Sequence, residues 1–107
     1  MKNELKKLLS AYNIEIEGKD AYLEFDTPKS ILHIKDAFYI IGKILHENLE
    51  ECFFIALVSA GVMNANQAII IVKFQDQRVY AYAFAKEGIF NQHTAQKAIE
   101  RLQGELD

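Results

Sequence analysis

The sequence predicts an α+β domain: an antiparallel sheet of about five strands with helices on both faces, in the order α-β-β-α-β-β-β-α. Three observations lead there. Apolar residues recur at helical spacing near both ends of the chain and in its middle. Between Cys52 and Ala85 the strand-like runs CFFIALVSA, AIIIVKF and RVYAYAFA follow one another with no helix-length pattern between them, so neighbours are expected to pair antiparallel as hairpins. Two of these runs are apolar on both faces. Val79, Ala81, Ala83 and Ala85 oppose Tyr80, Tyr82 and Phe84, while Phe53, Ile55 and Leu57 oppose Phe54, Ala56 and Val58. A sheet of that kind must be covered on both sides, by helices or by a second copy of the protein.

Taken in order, Leu5, Leu8, Leu9 and Tyr12 form one apolar stripe, which predicts a helix over residues 3–12 with Asn3 as its cap. In NIEIEGKDAYLEF, Ile14 and Ile16 alternate with glutamates on one side of a Gly-Lys-Asp corner, and Leu23 and Phe25 alternate with Tyr22 and Glu24 on the other. This predicts a β-hairpin. Pro28 behind Asp26 and Thr27 suits a helix start. From there Ile31, Ile34, Phe38, Ile41, Leu45, Leu49 and Cys52 step by three and four, predicting a helix over 28–50. Such a helix would be about 34 Å long against about 26 Å for an eight-residue strand, so either one end overhangs or residues 29–34 extend the sheet instead. The stretch GVMNANQ reads as a corner, because Asn64 and Asn66 tolerate left-handed backbone and can bond their own main chain, and Gln67 follows them. At the C-terminal end Ala95, Ala98, Ile99, Leu102 and Leu106 share a helical face behind an Asn91 or Thr94 cap. There are no repeats, linkers or low-complexity segments, so residues 1–107 are expected to form one domain.

Half the residues are hydrophobic and a quarter are charged, which is globular usage. A net charge of −3 with scattered lysines and arginines lacks the basic footprint of a nucleic-acid binder. The N-terminus MKNELKKLLSAY has no apolar h-region, and the longest apolar run, Cys52 to Ala60, is too short to span a bilayer. The single Cys52 allows no intramolecular disulfide, which fits a reducing compartment; a cytoplasmic protein away from membranes is expected. Cys52 follows two glutamates, which disfavour a thiolate, and precedes FFIALV, so packing is its expected role.

No residue stands out as catalytic. Ser10 and Ser59 lack a nucleophile signature, Gly61 and Gly88 stand alone, and there is no phosphate-binding loop. Of His33, His46 and His93, only His46 has a carboxylate, Glu50, four residues on. Two ligands are too few, and neither a metal nor another cofactor is expected. Glu47, Glu50 and Glu51 sit at the end of the expected long helix, where they oppose its dipole. Surplus apolar surface is more informative. On that helix Ile34, Ala37, Phe38, Ile41 and Leu45 form one arc, and Ile40 and Ile44 widen it to nearly half the circumference, so Ala37, Ile40, Ile41 and Ile44 are expected at a dimer interface. Burying the two outer isoleucines against a second copy would contribute on the order of 3–6 kcal/mol of gross transfer energy per chain. Leu32, Tyr39 and His46 recur every seven residues beside Lys35 and Lys43, as anchors for a protein partner. The expected function is a non-catalytic protein-interaction or regulatory module, homodimeric through the long central helix. The alternative is a small-molecule binder or enzyme with a pocket between Tyr80, Tyr82 and Phe84 and a helix.

The element order resembles the Roadblock and dynein-light-chain-type domain, in which a five-stranded antiparallel sheet carries one helix on one face and the terminal helices on the other. The resemblance implies a homodimeric scaffold or regulator of small GTPases. Profilin-like and chaperone-like small domains share related layouts.

Overall fold

The computed structural model describes residues 1–107 and has the α+β class expected, with a five-stranded antiparallel sheet between helices. Its elements are α1 (Lys2–Ala11), β1 (Lys19–Asp26), α2 (Ile31–Ile41), β2 (Gly42–Asn48), β3 (Phe53–Ala60), β4 (Asn66–Gln75), β5 (Arg78–Ala85) and α3 (Thr94–Leu106). The strands lie in the order β1-β5-β4-β3-β2, every neighbouring pair antiparallel. No helix is long and apolar enough to cross a membrane.

Two stretches differ from the sequence reading. The expected hairpin over 14–25 contains one strand, because residues 14–17 have no strand partner and Ile14 and Ile16 instead pack down onto the sheet face beside α1. Gly18 explains the change of direction: at φ 84 it brings the main chain so close to the end of β5 that a Cβ would sit 2.1 Å from the Ala85 carbonyl oxygen. The expected helix over 28–50 is two elements. It starts at Ile31, so residues 31–34 are helical rather than strand, and it ends at Ile41. Gly42 is already extended (φ −176), and a Cβ there would lie 2.0 Å from the Leu57 carbonyl oxygen. Backbone thus meets backbone where the chain leaves α2 and turns back as β2 along β3. The ladder offered by β3 overrides a helical pattern that was equally compatible with a strand, since β-branched Ile44 fits a pleated surface.

The two faces are covered unequally. On one face α2 and α3 enclose 21 buried residues, with Ala95 and Ala98 of α3 close to the alanine side of β5 and to Ala56, Ala60 and Ala68. The small side chains let α3 approach closely, as the alternation in RVYAYAFA predicts. On the other face Leu5 and Leu9 of α1 are buried with five sheet residues, Phe53, Ile55, Ile71, Tyr82 and Phe84, and Leu8, Tyr12, Ile14 and Ile16 pack beside them. Arg101 of α3 ties the layers together, donating to the carbonyls of Ser59 and, at 3.4 Å, of Ile41 at the α2 C-terminus. A cation placed there also complements the helix dipole.

Two local expectations also change. Met1 rather than Asn3 precedes α1, and no side chain caps it. Cys52 is in the β2–β3 turn with left-handed backbone (φ 55), half-buried, its Sγ facing the Leu49 carbonyl. It is a turn residue, not part of the packed strand.

Candidate functional site

The residues expected to line a dimer interface on one long helix are dispersed by the break at Gly42. Ala37 and Ile41 are buried in the core of their own chain. Ile44 lies on β2 opposite Ala56, half-buried under α2. Ile40 alone of the four remains outward, 66% exposed. The heptad Leu32, Tyr39, His46 is broken in the same way. His46 sits on β2 with its ring 4.4 Å from that of Tyr12, on the sheet face that α1 covers. Lys43 precedes it on that strand, exposed, and Lys35 is bound to Glu47 at 3.1 Å, an ion pair joining α2 to β2 that raises the lysine pKa. The helical spacing assumed for His46 and Glu50 as metal ligands, and for the glutamates at a helix end, is likewise absent: Glu47 is on β2, and Glu50 and Glu51 are in the turn after it.

What the break leaves is a compact apolar stripe on the outward side of α2. Leu32 is 58% exposed and Tyr39 62%, and with Ile40 they fall at i, i+7 and i+8 on one side of the helix. Asp36 lies on the same side, one turn from each end of the stripe.

The aromatic side of β5 is largely closed. Tyr82 is completely buried and Phe84 nearly so beneath Leu5 and Leu9, and Tyr80 is half-buried. The Tyr82 hydroxyl donates to Asp20 at 2.8 Å, and the ammonium groups of Lys2 and Lys6 lie 5.9 and 5.5 Å from its ring centre. Burial, and then the bond to Asp20, raise the phenol pKa well above its usual value. A groove of about 330 Å³ borders Phe84 between Glu15, Glu17, Leu57 and Ile69, and neither Tyr80 nor Tyr82 lines it. The expected pocket between the three rings and a helix is therefore filled by α1.

Two features had not been anticipated. At one end of the sheet the β3–β4 and β5–α3 loops are bound together. The Val62 amide donates to the Gln92 side-chain oxygen at 3.0 Å, and Asn66 Nδ2 donates to the Lys86 carbonyl and the Thr94 hydroxyl, each at 2.9 Å. Glu87 accepts the main-chain amides of Thr94 (2.9 Å) and Gln92 (3.2 Å), supplying the cap for α3 that Asn91 or Thr94 was expected to provide. Desolvation acts to raise the Glu87 carboxyl pKa, but the bonds from Thr94 and Gln92 prevail and hold it below the usual value. This lacing keeps Met63 (93% exposed, φ 54) and Ile89 (96% exposed) outward beside Val62 and Phe90. Asn64 is left-handed as expected (φ 53), whereas Asn66 already belongs to β4; its side chain accepts from the Gln67 amide and donates to the neighbouring loop. The sequence signal for the other loop was the apolar pair Ile89-Phe90 inside the polar stretch KEGIFNQH.

The second feature is the largest groove, about 470 Å³, running between the free edge of β1 and α3. Ala21, Leu23 and Ile99 supply its apolar floor, and Gln96 and Gln103 stand along its α3 side. Asp20 and Glu100 are the only charged residues that line it. No protein-family model, curated protein or solved structure matches the chain.

Proposed function

We propose that the chain is a non-catalytic protein-interaction module that pairs with a second copy of itself through the outward face of α2. The observation that carries this reading is the stripe of Leu32, Tyr39 and Ile40, three large apolar side chains each more than half exposed on one side of one helix. Most exposed apolar residues are scattered singly; a group of three on a rigid element is what an isologous contact uses, the same patch serving both copies. Asp36 sits on the same side, so the two helices cross near Tyr39 and Ile40, which keeps the two carboxylates apart. This replaces the longer interface expected of a helix over 28–50. It keeps the homodimeric scaffold that the Roadblock resemblance implies, although β2 follows α2 here instead of preceding it. The same reading places the protein in the cytoplasm, where its one cysteine stays reduced.

Light scattering on a sizing column tests the proposal. The native protein is expected to run with the mass of two chains, and a Tyr39→Glu, Ile40→Glu variant with the mass of one, its circular dichroism spectrum unchanged because both positions face outward. A native protein of one-chain mass at tens of micromolar, or a variant that stays paired, rules the α2 contact out.

A further inference from the structure

We propose that the groove between β1 and α3 accepts an extended segment of a partner protein as a sixth strand, one whose alternate residues are apolar and basic. The site is separate from the outward face of α2 and does not depend on it.

The geometry begins at the β4–β5 hairpin. Its loop is the two residues Asp76 and Gln77, both with positive φ (53 and 61), which makes Gln75 and Arg78 the closing hydrogen-bonded pair. Main-chain groups alternate in direction along an antiparallel strand, so Arg78, Tyr80, Tyr82 and Phe84 bond to β4, and Val79, Ala81, Ala83 and Ala85 bond to β1. Their partners in register are Phe25, Leu23, Ala21 and Lys19. The Thr27 amide continues the series by donating to the Gln77 carbonyl at 2.9 Å. The amides and carbonyls of Asp20, Tyr22 and Glu24 therefore point away from the sheet, unused by any neighbouring strand. A strand laid along them gains main-chain bonds, and its side chains alternate between two environments. Those on the α3 side enter the groove over Ala21, Leu23 and Ile99; those on the other side meet Asp20, Tyr22 and Glu24.

Three features select this edge and this guest. The other edge of the sheet, β2, shifts register between Ile44 and His46, a bulge that interrupts any regular row of donors and acceptors. β1 pairs with β5 over eight successive residues without a shift. On the side away from α3 the edge carries Asp20, which accepts from Tyr82, and Glu24, which Arg78 pairs; two carboxylates against that one cation favour lysine or arginine at the guest positions on this side, and Glu100 adds a further negative charge at the groove's α3 wall. A second copy of β1 is the wrong guest, because its two longest antiparallel self-pairings that keep side chains in phase set Asp20 opposite Glu24 or opposite Asp26.

The test is a random heptapeptide library displayed on phage, panned against the native protein, with the recovered peptides synthesised and titrated by fluorescence anisotropy. Peptides alternating valine or isoleucine with lysine or arginine are expected. Glu24→Pro removes one outward amide that β5 does not use, and proline is tolerated at such an edge position. It should weaken binding at least tenfold, whereas Glu24→Gln, which keeps the amide, should weaken it less. Glu100→Lys should weaken it at least fivefold with the fold unchanged. Binding should also slow exchange of the Tyr22 and Glu24 amides. Recovery of no peptide, peptides without the alternation, or peptides indifferent to both Glu24→Pro and Glu100→Lys would overturn the proposal. So would a native dimer that Glu24→Pro converts to monomer, since β1 would then be occupied by its own copy.

Discussion

Glu87 shows how much of this molecule depends on single side chains in loops. Its carboxylate receives the first amide of α3 and the Gln92 amide, while Asn66 reaches the same region from the facing loop. The folded carboxyl titrates below its usual value of 4.5. A group with a depressed folded pKa contributes stability that is present above the unfolded value and disappears as pH falls through the folded one. Acidification below about pH 4.5 is therefore expected to loosen the two loops, seen as faster exchange of the Thr94 and Gln92 amides, and Glu87→Gln should flatten that dependence. An unaltered acid profile in the variant would remove Glu87 from this role. Asn66 opens β4, but Asn64 could be read in advance as a corner residue, since its left-handed preference is local. The role of Glu87 could not, because its partners are fixed by the meeting of two loops rather than by any spacing in the chain.

At the scale of elements, the instructive case is the junction of α2 with β2. Ile31, Ile34, Phe38 and Ile41 were legible as a helical face because burial follows the 3.6-residue period there. Beyond Ile41 the same three-and-four stepping continues through Leu45 and Leu49 by coincidence. What ends the helix is tertiary: close approach of the Gly42 backbone to Leu57, and the ladder supplied by β3. Gly42→Ala should accordingly destabilise the protein by about 1–3 kcal/mol in urea unfolding, since the added methyl must displace main chain rather than a flexible side chain. A loss of less than a few tenths would mean that the junction has room the geometry does not show. The first hairpin failed for a related reason. Alternation in NIEIE reported that Ile14 and Ile16 face the core, which they do, but alternation does not say whether a stretch bonds to a strand or lies across a sheet.

For the molecule as a whole, the two unequal layers set where it is vulnerable. The face under α2 and α3 holds 21 buried residues, whereas the face under α1 holds seven, of which Leu5 and Leu9 are the helix's own buried contribution. Leu9→Ala should cost about 2–5 kcal/mol and increase binding of a hydrophobic dye before global unfolding. Dye binding that rises only with global unfolding would show that α1 is not separately detachable. The fold class was legible because two-sided apolar strands require two cover layers. Strand order was not, and with it went any knowledge of which edges stay open. That asymmetry of edges bears on behaviour at high concentration. An open filament of folded copies grows only if one edge of the sheet can dock repeatedly onto the opposite edge of the next molecule. Here the opposite edge carries the kink at Leu45, and like edges repel through their carboxylates. The bulge in β2 therefore works against head-to-tail growth through the sheets, and the carboxylates of β1 against pairing of like edges.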